Sequence, residues 1–163
     1  MKKRLTILSI LLLFLTGCSV KNGFFSKDSL EQSAVINSKK GQIYNSLEIK
    51  ATIVATYLNL ALPEYKKSSN EMFLVSIFID NDSKNSKERG LNNKSYSLTL
   101  NGKKAINIKE LKYDNKLIRV LPMRNQWSTY YLVEFDKVKD KNLKMIFKSD
   151  DYGEVVLEYL KEL

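Results

Sequence analysis

Between residues 47 and 57 the apolar positions recur with a period of two. Leu47, Ile49, Ala51, Ile53, Ala55 and Tyr57 point one way and Glu48, Lys50, Thr52 and Thr56 the other, the pattern of a strand with one buried face. Leu58, Leu60 and Leu62 continue the alternation in the opposite phase, which predicts a bulge or a change of sheet before Pro63, which has no amide for a ladder, ends the run. Residues 72–79 are almost continuously apolar, too short for a typical helix and rich in strand formers, so they predict a central strand buried on both faces. Tyr96, Leu98 and Leu100 alternate up to Asn101-Gly102, a pair suited to the two positive-φ positions of a type I′ turn, and Ala105, Ile106 and Ile108 follow as the second arm of a hairpin. Residues 117–121 read as a short strand. The next runs from Trp127 through Thr129, Tyr131 and Val133 to Phe135, with Trp127 lending an edge to the core and Tyr130 on the opposite face. Residues 143–147 and 154–160 supply the last two, and no segment carries a sustained apolar stripe at helical spacing.

Seven or eight short strands separated by Asn, Asp, Gly, Ser and Lys turns make the expected fold all-β. The specific expectation is an immunoglobulin-like antiparallel β-sandwich over residues 46–163, with a small β-barrel as the alternative. Residues 19–46 are rich in Ser, Lys, Asn and Gly and predict a weakly ordered tether, with Phe24-Phe25 as its one apolar pair and, over residues 30–40, a short amphipathic turn or helix with Leu30 and Ala34 on one face.

The first 18 residues have a different pattern. Lys2, Lys3 and Arg4 precede an apolar run over residues 5–15, and then come Thr16, Gly17 and Cys18. A basic start, a short apolar stretch and a small-residue cleavage zone make a secretory signal peptide over residues 1–17; the run falls well short of the roughly 20 residues a membrane-spanning helix needs. The sequence Leu15-Thr16-Gly17-Cys18 resembles the lipobox of bacterial lipoproteins. That resemblance implies that Cys18 is lipidated and becomes the first mature residue, with residues 18–45 as a lipidated tether. Ser19 after the cysteine implies delivery to the outer membrane, on either of its sides. Two or three acyl chains at about 0.8 kcal/mol per buried CH₂ give a lasting anchor. The domain is in turn similar to the small immunoglobulin-fold lipoproteins of Campylobacter-type bacteria. The similarity lies in its size, its Lys/Asn-rich turns, the Tyr96-Ser-Leu-Thr-Leu-Asn-Gly102 hairpin and the aromatic strand over residues 127–135.

Composition narrows the chemistry. Losing Lys2, Lys3 and Arg4 with the signal removes no acidic residue, so the formal charge of +9 falls to +6, which favours anionic envelope surfaces. The basic residues are too dispersed to suggest nucleic acid. The one cysteine is committed to lipid, so no intramolecular disulfide is expected, and the absence of histidine removes the commonest general base and metal ligand. Asp80-Asn81-Asp82 opens like a calcium loop, but Lys84 stands where an oxygen ligand belongs and no glycine follows at the sixth position. Asp150 and Asp151 are adjacent in a turn, a poor arrangement for flanking a glycosidic bond. No enzyme, metal or cofactor is expected. The expected role is a membrane-anchored interaction module that contacts an envelope or host-surface protein or glycan, surface adhesion included. The alternative is an accessory subunit of an outer-membrane assembly or lipid-transport complex. The contact surface is expected in the long polar loop over residues 80–94, through Asp80, Asp82, Lys84, Lys87 and Arg89, or at Tyr130 as an exposed aromatic on a sheet face. With Leu91 as its only apolar residue, the loop is expected to contribute little to stability.

Overall fold

The computed structural model describes residues 22–161. The signal peptide and Cys18 lie outside the described residues. Within them nine strands pair antiparallel in two sheets. The five-stranded sheet runs in the order β1 (Ser38–Asn45), β2 (Glu48–Tyr57), β3 (Glu71–Ile79), β7 (Thr129–Phe135) and β6 (Asn107–Leu111). The four-stranded sheet runs β5 (Lys103–Lys104), β4 (Tyr96–Leu100), β8 (Asn142–Ser149) and β9 (Gly153–Leu160). This is a sandwich-type, two-sheet β domain.

Between the sheets, alternate residues of β2, β3 and β7, among them Ile53, Phe73, Val75 and Val133, meet Leu100, Met145, Phe147 and Leu157. Phe73 is the hub, with ring centres 5.0 Å from Tyr57, 5.3 Å from Tyr159 and 6.0 Å from Phe135. The Tyr159 hydroxyl crosses from β9 to donate to the Ala55 carbonyl of β2 at 2.7 Å, joining the sheets by a buried hydrogen bond. At one corner β1 packs on β9 through Gly41, where a Cβ would stand 2.5 Å from Val155 Cγ2. Only glycine allows that approach.

β3 is buried on both faces, as its unbroken apolar run predicts. Met72 and Leu74 point away from the second sheet, and with Tyr130 of β7 they form an outer core. Leu58, Ala61, Leu62, Leu111, Ile118 and Leu121 cover it. Burying each leucine, isoleucine or methionine of this set stabilises the fold by about 1.5–3 kcal/mol.

The outer cover is built from segments that the alternation misassigns. Leu58, Leu60 and Leu62 do not extend a strand: residues Leu58–Ala61 make one turn of helix, α2, closed by the Leu62 amide donating to the Leu58 carbonyl at 2.9 Å. Asn59 fastens this turn to the start of β3, donating to Asn70 O at 2.8 Å and accepting from the Met72 amide at 2.7 Å. Residues Lys116–Val120 form a 3₁₀ turn instead of a strand, because Asn115 Oδ1 takes the Leu117 amide at 2.9 Å. The Asn101-Gly102 turn has the expected positive φ values of 47° and 78°. Its second arm is only Lys103–Lys104, after which the chain crosses to the other sheet as β6, leaving Ile106 and Ile108 exposed.

The polar region before residue 46 is more ordered than its composition suggests. Asn22–Ile36 is a helix, α1, and Ser38–Asn45 is the edge strand β1. Ala34 is buried, and the Ser38 hydroxyl lies 2.6 Å from both the Ala34 carbonyl and Thr56 Oγ1, pinning the junction to β2.

One fully buried carboxylate closes the domain. Glu71, the first residue of β3, accepts from Lys161 Nζ and the Tyr57 hydroxyl at 2.5 and 2.6 Å and from the Val138 amide at 3.1 Å, with Lys137 Nζ at 3.7 Å. Lys161 Nζ also donates to Val138 O. Burial pushes the Glu71 carboxyl up, but these donors and cations prevail and hold it below its ordinary value of 4.5. A depressed carboxylate contributes stability that is complete above its unfolded value and lost as pH falls through the folded one. Glu71→Gln is therefore expected to lower stability at neutral pH by about 3 kcal/mol, since it strands the Lys161 charge, and to flatten the loss of stability below pH 4.5. Denaturant titrations of both proteins across the acid range check this; parallel acid limbs would remove Glu71 from its role.

Candidate binding cleft

β3 and β6 end, and β7 begins, at the same end of the five-stranded sheet, because β7 runs antiparallel to both neighbours. The loops leaving this end, residues 80–94 and 112–128, stand apart and enclose an open cleft of about 670 Å³. That volume lies within the roughly 300–1,000 Å³ of ordinary ligand sites.

The 80–94 wall is held by side chains gripping backbone. The Asp82 carboxylate accepts from the Ser83 amide at 2.9 Å and, across the loop, from the Gly90 amide at 2.7 Å. Gly90 has φ 58° and sits so close to Tyr131 that a Cβ would fall 2.1 Å from the phenol oxygen, so glycine is required twice over. The neighbouring Leu91 amide donates to the Tyr131 hydroxyl at 3.1 Å. Arg89 Nη2 meets Glu110 Oε1 of β6 at 2.5 Å, and the carboxylate raises the Arg89 pKa and keeps it charged. The loop is thus part of the packing at Gly90, Leu91 and Arg89, contacts that the count of its apolar residues does not register.

The opposite wall presents aromatics. Tyr130 is 2 % exposed, not the open platform its alternation suggests, because the sheet face it occupies is covered by the outer core. Its hydroxyl donates to Asn125 O at 2.5 Å and accepts from the Asn125 amide at 2.9 Å. Asn125 Oδ1 in turn accepts from the Trp127 and Ser128 amides at 3.0 and 2.8 Å. This Asx turn delays β7 until Thr129 and turns Trp127 outward, 72 % exposed, where the sequence places it at the core edge. Tyr113, 57 % exposed, packs its ring 5.8 Å from that of Tyr130. A smaller hollow of about 280 Å³, bounded by Val54, Ser76, Phe78 and Met123, also has Trp127 in its wall, so the indole stands between two recesses.

Of the residues singled out from sequence, Asp82, Lys84, Arg89 and Tyr130 come together in the cleft. Asp80 does not line it, since its carboxylate is 3.1 Å from Lys50 Nζ, which also holds Glu48 at 2.7 Å. Lys87 is exposed on the loop and not among the lining residues. Cys18 lies outside the described residues. The sequence reading misses Trp127, Tyr113, Glu110 and Lys112. Asn125, two residues before an aromatic at the head of a strand, is the signal that could have turned Trp127 outward.

Asp150 and Asp151 sit in the turn between β8 and β9, where the Asp151 amide donates to Ser149 Oγ at 3.3 Å. Among the described residues no group of three or more His, Cys, Asp and Glu side chains is placed to hold a metal ion, and no helix is long and apolar enough to cross a membrane. A scan against protein-family models, a search of curated proteins and a search of solved structures each find no match.

Tyr130 links the packed sheet to the loop that presents Trp127. Tyr130→Phe is expected to cost about 1–2 kcal/mol, because the Asn125 amide and carbonyl lose their partner. It should also speed hydrogen exchange at the Trp127 amide more than at β3 amides. Exchange unchanged at Trp127 would show that the hydroxyl does not hold the turn.

Proposed function

We propose that this chain is a lipid-anchored envelope protein whose immunoglobulin-like sandwich is a non-enzymatic interaction module, with the cleft between residues 80–94 and 112–128 as its contact site. The observation that carries the proposal is Trp127, a large aromatic held in the open by its backbone. Leaving an indole in water forgoes burial worth about 1.5–3 kcal/mol, and fixing it there suits a partner that covers it. The lipobox-like sequence ending at Cys18 supports the anchor, and the side-chain-to-backbone locks on both walls support a pre-shaped surface. The two stacked antiparallel sheets support the immunoglobulin-like assignment, within a wider class of sandwiches.

The test uses the full chain in cells, with a photo-crosslinking side chain at Gln126 on the cleft wall. A discrete adduct is expected, whatever its chemical composition, falling roughly tenfold with Trp127→Ala, the equivalent of about 1.4 kcal/mol of contact energy. Cys18→Ser is expected to leave the precursor uncleaved and to abolish partitioning into detergent. No adduct at Gln126, or an adduct indifferent to Trp127, would overturn the module reading; an unmodified wild-type protein in the aqueous phase would overturn the anchor. Recovery of a fixed multi-subunit envelope complex, with crosslinks outside the cleft, would favour the accessory-subunit alternative.

A further inference from the structure

The cleft combines three kinds of group. The first is the pair of exposed aromatic faces, Trp127 and Tyr113. The second is a lining of neutral hydroxyls and amides, including Asn81, Ser83, Gln126 and Ser128. The third is charge, in which Arg89 is taken up by Glu110, and both Asp82 oxygens already accept backbone amides. Two ammonium groups remain, Lys84 and Lys112, neither of them in an ion pair among the described residues.

We propose that the cleft binds an anionic saccharide, with Trp127 and Tyr113 packing against the C–H faces of sugar rings and Lys84 and Lys112 pairing with sugar carboxylates. This rests on the interaction-module reading and gives that site its ligand class. A sugar ring is apolar above and below its plane and polar around its rim, so it is matched by an aromatic wall surrounded by hydroxyls and amides. The cleft offers an apolar peptide anchor no exposed aliphatic surface, since the lining residues Ile79 and Leu111 are already buried in the two cores. A polyphosphate is mismatched as well. It offers acceptors only and has no C–H ring face for Trp127 and Tyr113, whereas a sugar acid brings a ring face to the aromatics, hydroxyl donors to the polar lining and a carboxylate to the lysines. The backbone of both walls is held before binding, so the ordering cost falls mainly on side chains such as Lys84 and Lys112.

Trp127 is the only tryptophan in the chain, so its emission, excited apart from that of the tyrosines, reports on the two recesses the indole borders. The full-length protein in detergent is titrated with a galacturonate tetrasaccharide, a neutral galactose tetrasaccharide and a short single-stranded DNA. A saturable change in emission is expected with the acidic sugar, at least about fivefold weaker for the neutral one, which lacks the ion pairs. Lys84→Gln with Lys112→Gln is expected to erase that preference while leaving the emission spectrum of the free protein unchanged, and Tyr113→Ala to weaken acidic-sugar binding roughly tenfold, about 1.4 kcal/mol. The same chemistry belongs to soluble acidic polysaccharides and to membrane glycolipids. Vesicles carrying a uronate glycolipid separate them, tighter binding to the vesicle assigning the lipid-linked source and tighter binding to the free sugar the soluble one. No saturable response to either saccharide, equal affinity for acidic and neutral sugars, or tighter binding of DNA would overturn the proposal. If Trp127-dependent adducts at Gln126 persist in cells while both saccharides fail, the module reading stands and only the ligand class falls.

Discussion

The five-stranded sheet carries apolar side chains on both faces, and that fact dictates the rest of the architecture. Phe73, Val75 and Ile77 are satisfied by the second sheet, but Met72, Leu74 and Tyr130 point the other way and must be covered from outside the sandwich. The chain covers them with short pieces drawn from three places: the α2 turn, the end of β6 and the 3₁₀ turn over Lys116–Val120. None of these is a stable element alone. Two of them are held by an asparagine that substitutes for a backbone partner, Asn59 for the α2 turn and Asn115 for the 3₁₀ turn, and Tyr130 does the same for the Asn125 turn that follows. The cleft is where this outer layer stops. Trp127 belongs to its last turn, so the arrangement that buries Tyr130 also exposes the indole.

Polar fastenings are concentrated at the margins, and they are of two energetic kinds. Glu71 is a buried charge with all its donors in place, which makes it costly to disturb and sensitive to acid. Asp82 and Asn125 are different, because they fold loops through backbone amides at the surface and so shape the cleft without resting on a net charge balance. Tyr131 links the two regions: its ring is in the inter-sheet core and its hydroxyl receives the Leu91 amide of the cleft wall.

Where the sequence is legible, a single physical cause dominates. The unbroken apolar run of β3 admits only double burial, and Asn101-Gly102 admits only a tight positive-φ turn. β1 is hidden because its inward positions are Gly41 and Ile43, and a glycine chosen for close approach leaves no hydrophobic mark. The run from Leu58 to Leu62 misleads because one helical turn and one strand segment cannot be told apart by period in so short a stretch. For the site, alternation assigns Tyr130 and Trp127 to opposite faces but not their burial. Tyr130 is covered by Leu111, Ile118 and Leu121, which lie outside its own strand, and Trp127 is diverted by the local chemistry of Asn125. Charged residues of the 80–94 loop are easier to find, since a long polar loop is conspicuous; which of them face the cleft depends on Lys50, 30 residues from Asp80.

The central claim is that the Trp127 backbone is held through Asn125 and Tyr130 to the buried sheet, so that its indole is presented to water in one place. Time-resolved fluorescence anisotropy of the unliganded protein, combined with acrylamide quenching, measures both properties on the one tryptophan. The account predicts efficient quenching together with an anisotropy that decays almost entirely at the rate of whole-domain tumbling. A dominant subnanosecond depolarisation, or an indole shielded from acrylamide, would contradict it.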